Sequence, residues 1–298
     1  MKKNYFTICF LFFTIASFAD PVLIDGVYYN LIQKANEAEV TFNPDLSIRY
    51  SGEISIPEKI IYDEIEYEVT SIGDFAFSMC NELKKVTLPN SIKKIGVSGF
   101  SSSGINSIEL PSSIESIEGF AFSDCKSLET ITIPEKVTII PGNFAYGCIG
   151  LTEIIIPENV TLIDMIAFYG CSNLKKIAIG SNVNKININA FGNCPNIEEL
   201  TCYCKNVPKT TLDLFEGSYI DQATLYVPSG SEEAYRSDKY WGNFKEVLPI
   251  SGTDIIKVLS TNQESVIYNL EGKRTERIQK GINIIKSSNG NTKKLFVK

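Results

Sequence analysis

Residues 163–185 read IDMIAFYGCSNLKKIAIGSNVNK, and six successive versions of this phrase run through a chain of 298 residues. Cysteines mark its period with separations of 45, 23, 23 and 23 residues: Cys80, Cys125, Cys148, Cys171 and Cys194. Ser103 stands at the cysteine position of the second copy. A residue type that recurs at constant spacing occupies one structural position in successive units. The phrase therefore predicts a repeat solenoid in which each coil stacks on the one before.

Each copy also contains a short stretch of alternating inward and outward positions, such as Ile131-Thr132-Ile133. Alternation with β-branched residues is typical of a half-buried strand, so we expect one short parallel strand per repeat. Proline cannot donate to a strand ladder, and it follows four of these stretches, at Pro89, Pro111, Pro134 and Pro157. The Ala-Phe pair of each copy, as in Ala121-Phe122, is expected on a short helical turn on the other side of the coil.

The six copies together strongly resemble the BspA-type, or treponemal-class, leucine-rich repeat of bacterial surface proteins. Gly26–Tyr29 and Tyr50–Pro57 resemble the β-rich cap that precedes such arrays, and Leu225–Pro228 with Trp241 resembles their closing segment. The resemblance implies a leucine-rich repeat solenoid with an N-terminal cap at 20–68 and an array with its closing segment at 69–247. It also implies adhesion to a host or neighbouring-cell surface protein or glycan.

The two ends of the chain differ from the repeats. Residues 1–19 combine a basic start, a short apolar stretch and small residues before Asp20, which is typical of a secretory signal peptide. Residues 253–298 predict a small C-terminal β module with three strands, and they resemble the sorting signal of type IX secretion cargo. Secretion machinery is then an expected partner, and a β-hairpin module packed on the array is the alternative. No later segment is long enough to span a membrane, so we expect an exported protein, extracellular or on the outer cell surface.

Composition narrows the function further. The net charge is −7, and it becomes −9 without residues 1–19, so nucleic acid is not an expected partner. The periodic cysteines are expected to be buried thiols rather than disulfides or metal ligands, whereas Cys204 has no position in the repeat. The chain contains no histidine, which removes Ser-His-Asp and Cys-His catalysis. A paired-carboxylate glycosidase remains formally possible, but we expect no enzyme, no cofactor and no metal.

The outward strand positions are the candidate binding surface. They form two columns that are polar, mixed in charge and without aromatic residues, and Ile155 with Ala178 gives the only small apolar patch in them. A solvated surface without a ligand is the plain alternative for each position. Two functions fit this surface: a surface-displayed adhesion or binding module, and a structural envelope spacer without a dedicated ligand. The candidate residues are Lys85, Thr87, Glu109, Thr130, Thr132, Glu153, Ile155, Lys176, Ala178 and Glu199.

Overall fold

The computed structural model describes residues 20–210 and 212–250, together with the backbone of four strand segments beyond residue 265. The expected signal peptide at 1–19 lies outside the described residues. The described residues begin with an antiparallel unit of three strands, β1 (Val22–Ile24), β2 (Val27–Ile32) and β3 (Glu37–Thr41). These are followed by β4 (Gly52–Ser55), β5 (Lys59–Tyr62) and β6 (Ile65–Ile72). β6 pairs with β3 in parallel and with β5 in antiparallel.

One strand per repeat is present, as the alternation predicts. The series runs in parallel and begins where β4 pairs with β7. Inward residues of the series, such as Ile154 and Ile177, are buried, and their register partners lie one coil apart. The strands are β7 (Leu83–Thr87), β9 (Ser107–Ile108), β11 (Thr130–Ile131), β13 (Glu153–Ile156), β15 (Lys176–Ile179), β17 (Glu199–Cys202), β18 (Thr224–Val227) and β19 (Glu246–Pro249).

A second series of two-residue strands, which the sequence did not predict, forms another side of each coil. The end of β6 starts it by pairing with β8, and the later members pair in parallel. Two residues are too few to produce an alternation that can be recognised, although their second residue is always isoleucine. The strands are β8 (Lys94–Ile95), β10 (Ser116–Ile117), β12 (Ile139–Ile140), β14 (Leu162–Ile163) and β16 (Lys185–Ile186).

The Ala-Phe segments form a third set of contacts between coils, which we call the turn ladder (residues 73–79, 96–102, 118–124, 141–147, 164–170 and 187–193). The Phe122 N–H donates to the Phe144 carbonyl at 2.9 Å and the Asp124 N–H to the Tyr146 carbonyl at 2.6 Å. The intervening Ser123 N–H donates to Phe120 in its own coil at 3.0 Å. Phe120 and Asp124 have positive φ, at 61° and 56°. The expected short helical turn is therefore wrong, because left-handed residues interrupt it and alternate N–H groups bond to the next coil.

The core is a continuous column of aromatic rings inside the coils. Successive centroids lie 5.1–6.2 Å apart from Tyr50 through the phenylalanines to Phe215. In the fourth repeat the chain reads Phe144-Ala145 instead of Ala-Phe. Phe144 still fills the column, but its ring meets Phe122 and Phe168 edge-on, at 71° to each. The repeat thus tolerates a shift of one residue because the ring still occupies the same volume.

The closing segment covers the last coil as its aromatic residues predict. Trp241 is fully buried and lies edge-on to Phe215 and Tyr235, at 5.5 and 5.4 Å. The segment contains two 3₁₀ turns, Ile220–Gln222 and Trp241–Asn243, and helix α1 (Glu232–Arg236). Ser231 precedes α1, but its side chain does not cap the helix. Its hydroxyl donates instead to the Lys205 carbonyl at 2.8 Å, which ties the helix to the array.

Beyond residue 265 the backbone forms a four-stranded antiparallel sheet in the order β21-β20-β22-β23. Its strands are β20 (Val266–Tyr268), β21 (Arg274–Thr275), β22 (Gly281–Lys286) and β23 (Thr292–Val297). Three of them match the strands expected in the C-terminal β module, and β21 is an addition. Among the described residues, no helix is both long enough and apolar enough to cross a membrane.

Candidate binding surface

The ten candidate residues all lie on the outward side of the first strand series, where each is exposed or half-buried. Their side chains form two rows that run along the array, because residues paired in register share one position in successive coils. Neighbouring positions in a row are about 4.8 Å apart. We call this surface the strand face. Whether its residues bind a ligand remains a prediction.

The first row is largely balanced in charge. Glu153 pairs in register with Lys176, and Lys176 pairs with Glu199. Opposite charges on neighbouring strands stabilise a sheet by roughly 0.2–1 kcal/mol per pair. The exposed Lys175–Glu198 ion pair, at 2.9 Å, adds another charge contact between these strands. These residues therefore have a structural role whether or not a ligand binds.

The second row has most of its apolar residues in the C-terminal half of the array. It begins with Thr87, whose partner is Ser55 in the cap. Ile155 pairs with Ala178, which pairs with Thr201, and the row continues through Tyr226 to the exposed Leu248. The columns of the six repeats contain no aromatic residue, but the structure extends the second row beyond them to Tyr226. Leu225–Pro228 was predicted to belong to the closing segment, although the Thr-Leu-Tyr-Val alternation at 224–227 indicates a further strand with Tyr226 outward.

The periodic thiols do not belong to the binding surface. All seven cysteines in the described residues are buried free thiols, as predicted for the periodic ones. Four thiols donate to a carbonyl of the preceding coil: Cys125 to Phe100, Cys148 to Phe122, Cys171 to Ala145 and Cys194 to Phe168, at 3.0–3.2 Å. Burial raises the pKa of Cys125 to about 11 and that of Cys194 to about 12. Such thiols are poor nucleophiles, because the thiolate is the reactive form.

Cys204, which had no position in the repeat, is buried near the closing segment. Its thiol donates to the carbonyls of Gly180 and Val183 at 3.3 and 3.1 Å. The Cys202 sulfur lies 3.2 Å from the Tyr235 hydroxyl, which donates to the Cys204 carbonyl at 2.9 Å. A side-chain hydrogen bond with Cys202, together with burial, raises the pKa of Cys204. The group therefore connects the last repeat to the closing segment.

The turn ladder carries exposed apolar residues that were not predicted from the sequence, because only the strands were expected to form a binding surface. Phe75, Phe120 and Met79 are 45 %, 46 % and 59 % exposed, and their φ angles are 60°, 61° and 58°. A left-handed conformation costs roughly 1–2 kcal/mol for a residue with a side chain. Asn143 and Asn189 occupy the same position as Phe75 and Phe120, with the same backbone. The signal was available in the sequence as one column of the repeat, which contains Phe75, Ser98, Phe120, Asn143, Ile166 and Asn189.

Within the described ranges 20–210 and 212–250, no group of three Cys, Asp or Glu side chains is arranged so that it could hold a metal ion. The two rows of the strand face instead present hydroxyl, carboxylate, ammonium and aliphatic groups at a fixed spacing. Such an arrangement can bind an extended ligand.

The repeated segment of about 23 residues matches the family model described as the BspA type leucine-rich repeat region. The match has six copies, over residues 57–164 and 93–221. These matches cover more than half of the chain. The chain belongs to the BspA-type leucine-rich repeat family. No curated protein matches it significantly.

Solved structures with similar folds are also leucine-rich repeat proteins. The Treponema pallidum leucine-rich repeat protein is 26 % identical with a TM-score of 0.48, over 58 % of this chain and 77 % of that one. A leucine-rich repeat protein from Bacteroides ovatus is 18 % identical with a TM-score of 0.42, over 77 % and 76 %. A leucine-rich cell surface protein from Faecalibacterium prausnitzii is 18 % identical with a TM-score of 0.40, over 82 % and 98 %.

Proposed function

We propose that this BspA-type protein is an exported, non-enzymatic adhesion module that binds a protein or glycan of a host or neighbouring cell through its strand face. The observation that carries the proposal is the second row of that face, which starts with Thr87 and contains Ile155, Ala178, Tyr226 and Leu248 farther along the array, with the buried Thr201 between Ala178 and Tyr226. A solvated row needs no apolar members. A row whose apolar residues lie mainly in its C-terminal half suits a ligand whose apolar part lies toward the closing segment.

The chemistry of the chain supports binding over catalysis. Without histidine it has no imidazole base, and burial raises the pKa of the five periodic thiols, which keeps them protonated at neutral pH. The proposal of surface display is supported by the expected signal peptide at 1–19 and by membership in the BspA-type repeat family. The tail at 253–298 is proposed to be the segment that secretion machinery recognises. The alternative is an envelope spacer, which would use the same rigid array but retain no ligand.

The test is a screen of the tag-free mature protein against purified matrix proteins and a glycan array. Ala178→Glu places a charge in the apolar part of the row, and Ser181→Glu adds the same charge at an exposed position just after β15. We expect saturable binding of at least one component, reduced about tenfold or more by Ala178→Glu and unchanged by Ser181→Glu. Absence of any saturable ligand would favour the spacer, and equal loss in both variants would exclude the strand face as the site.

A further inference from the structure

We propose that the turn ladder carries a second binding surface, separate from the strand face, which takes a cationic amphipathic peptide segment. Its apolar part consists of Phe75, Met79, Phe120 and Met165, which are 45–59 % exposed. Its charged part consists of carboxylates on the same segments. We call these residues together the apolar-acidic face.

The repeat itself shows that the fold does not require the apolar residues. Backbone bonds hold the six left-handed positions equivalent to Phe75 alike: the Phe120 N–H donates to the Gly142 carbonyl, and the equivalent Asn143 N–H donates to the Met165 carbonyl, at 3.2 and 3.1 Å. Asparagine tolerates the left-handed conformation, whereas a bulky apolar residue there is an outlier. Phe75 and Phe120 therefore combine backbone strain with solvent exposure, whereas the other repeats place Asn143, Asn189, the buried Ser98 or the half-buried Ile166 at this position. Strained residues of this kind concentrate at binding sites.

The charge on this face is of one sign. The six segments of the turn ladder contain Asp74, Glu118, Asp124 and Asp164, and none of them contains a lysine or an arginine. Lys94, from the second strand series, reaches Glu118 at 3.6 Å. Asp74 and Asp164 accept backbone N–H groups at 2.8 and 2.7 Å, which fixes their positions. Apart from Glu118, no carboxylate of the turn ladder has a salt bridge to another described residue.

The negative charge of the apolar-acidic face determines which kind of partner it can bind. A second copy of this chain docked through the same face would bring the same carboxylates, and an anionic bilayer would bring like charge, so both are repelled. A segment with lysine or arginine around an apolar stripe would pair with the carboxylates and cover Phe75 and Phe120.

The spacing fits a helix. Phe75 and Phe120 are two coils apart, about 9.6 Å, and residues i and i+7 of an α-helix are about 10.5 Å apart. The distance from Phe75 to Met165 spans four coil steps, about 19 Å, which corresponds to roughly 13 helical residues.

The experiment uses the intact mature protein and a synthetic peptide of about 14 residues, with leucine at i, i+3, i+4 and i+7 and lysine elsewhere. Phe75→Asn/Phe120→Asn installs the residue that the chain already uses at this position, so the variant is expected to fold with an unchanged or higher Tm. Ile139→Asn removes an equally exposed apolar side chain from the second strand series and serves as the control. Asp74→Asn/Asp124→Asn tests the charge, and a peptide with glutamate in place of lysine tests its sign.

We expect saturable binding of the lysine peptide that weakens with salt. Phe75→Asn/Phe120→Asn should weaken it about tenfold or more, Asp74→Asn/Asp124→Asn should weaken it and reduce its salt dependence, and Ile139→Asn should leave it unchanged. Absence of binding, equal binding by the asparagine variant or equal binding of the glutamate peptide would overturn the proposal. Self-association or binding to anionic vesicles that requires Phe75 and Phe120 would also overturn it. Because Ala178→Glu leaves this face intact, failure of the strand-face proposal would not affect the result.

Discussion

The thiol of Cys148 donates a hydrogen bond to the carbonyl of Phe122 in the preceding coil, with 3.0 Å between sulfur and oxygen. Phe122 is itself a member of the aromatic column, so one contact joins the cysteine column to the core. The same bond can be made by serine, since the Ser218 hydroxyl donates to Phe191 at 2.7 Å in the corresponding position. The cysteine column is therefore a column of small hydrogen-bond donors rather than a set of reactive groups.

Cys148→Ser should consequently be tolerated better than Cys148→Ala. Serine keeps the donor, and we expect a loss below about 1 kcal/mol in the free energy of unfolding. Alanine removes the donor and leaves a small cavity, and we expect a loss of roughly 1–3 kcal/mol. Urea unfolding followed by circular dichroism measures both. Equal losses would show that the bond to Phe122 contributes nothing.

Trp241→Ala should be among the most destabilising single substitutions. Trp241 is fully buried against Phe215 and Tyr235, so its removal opens the last coil to water. We expect a loss of about 3–5 kcal/mol in the free energy of unfolding. Tyr219→Ala, a change at a mostly exposed aromatic residue near the same end, is the control and should cost far less. A small effect of Trp241→Ala would mean that this segment does not cap the array.

Stability should decrease as the pH rises above about 8.5, the pKa of an unfolded thiol. Burial raises the pKa of Cys125 to about 11 and raises the pKa values of Cys148 and Cys171 well above the ordinary range. Below pH 8.5 each thiol is protonated in both the folded and the unfolded protein, and stability does not depend on its titration. Above pH 8.5 only the unfolded protein loses this proton, so the free energy of unfolding falls by about 1.4 kcal/mol per pH unit for each thiol until the thiol also ionises in the folded protein. Buried tyrosines act in the same direction.

The contribution of the thiols to this pH dependence is measured by comparing the parent protein with the Cys148→Ser/Cys171→Ser variant, which has two fewer ionisable thiols. Between pH 8 and pH 10, urea unfolding should show a smaller loss of stability in this variant than in the parent. Parallel losses in the two proteins would assign the pH dependence to other groups.

Much of this fold could be predicted from the sequence, because each weak sequence pattern recurs in successive repeats. The cysteine column, the strand at Ile154 and the closing role of Trp241 all follow from spacing or residue type. The second strand series does not, because two residues carry no period. Phe120 was missed for another reason: its backbone conformation is set by hydrogen bonds between coils, and these become visible only when the coils are stacked.

Deleting residues 253–298 should leave the array folded, because Tyr235, Trp241 and Phe244 already cover its end. Circular dichroism and urea unfolding of the truncated protein should match the array's transition in the full mature chain. The same deletion should trap the protein inside the cell envelope if the tail is the sorting signal. Protease accessibility on intact cells measures this, and unchanged surface exposure would remove the sorting role from the tail.

The most direct test of the account is a lysine-protection measurement on the mature protein in complex with the component that it captures. Lys85 and Lys176 lie on the strand face, whereas Lys94 and Lys185 lie on the second strand series. Acetylation rates followed by mass spectrometry should fall at Lys85 and Lys176 when the component binds and stay unchanged at Lys94 and Lys185. Protection of Lys94 and Lys185 alone would contradict the claim that this array binds its partner through the strand face.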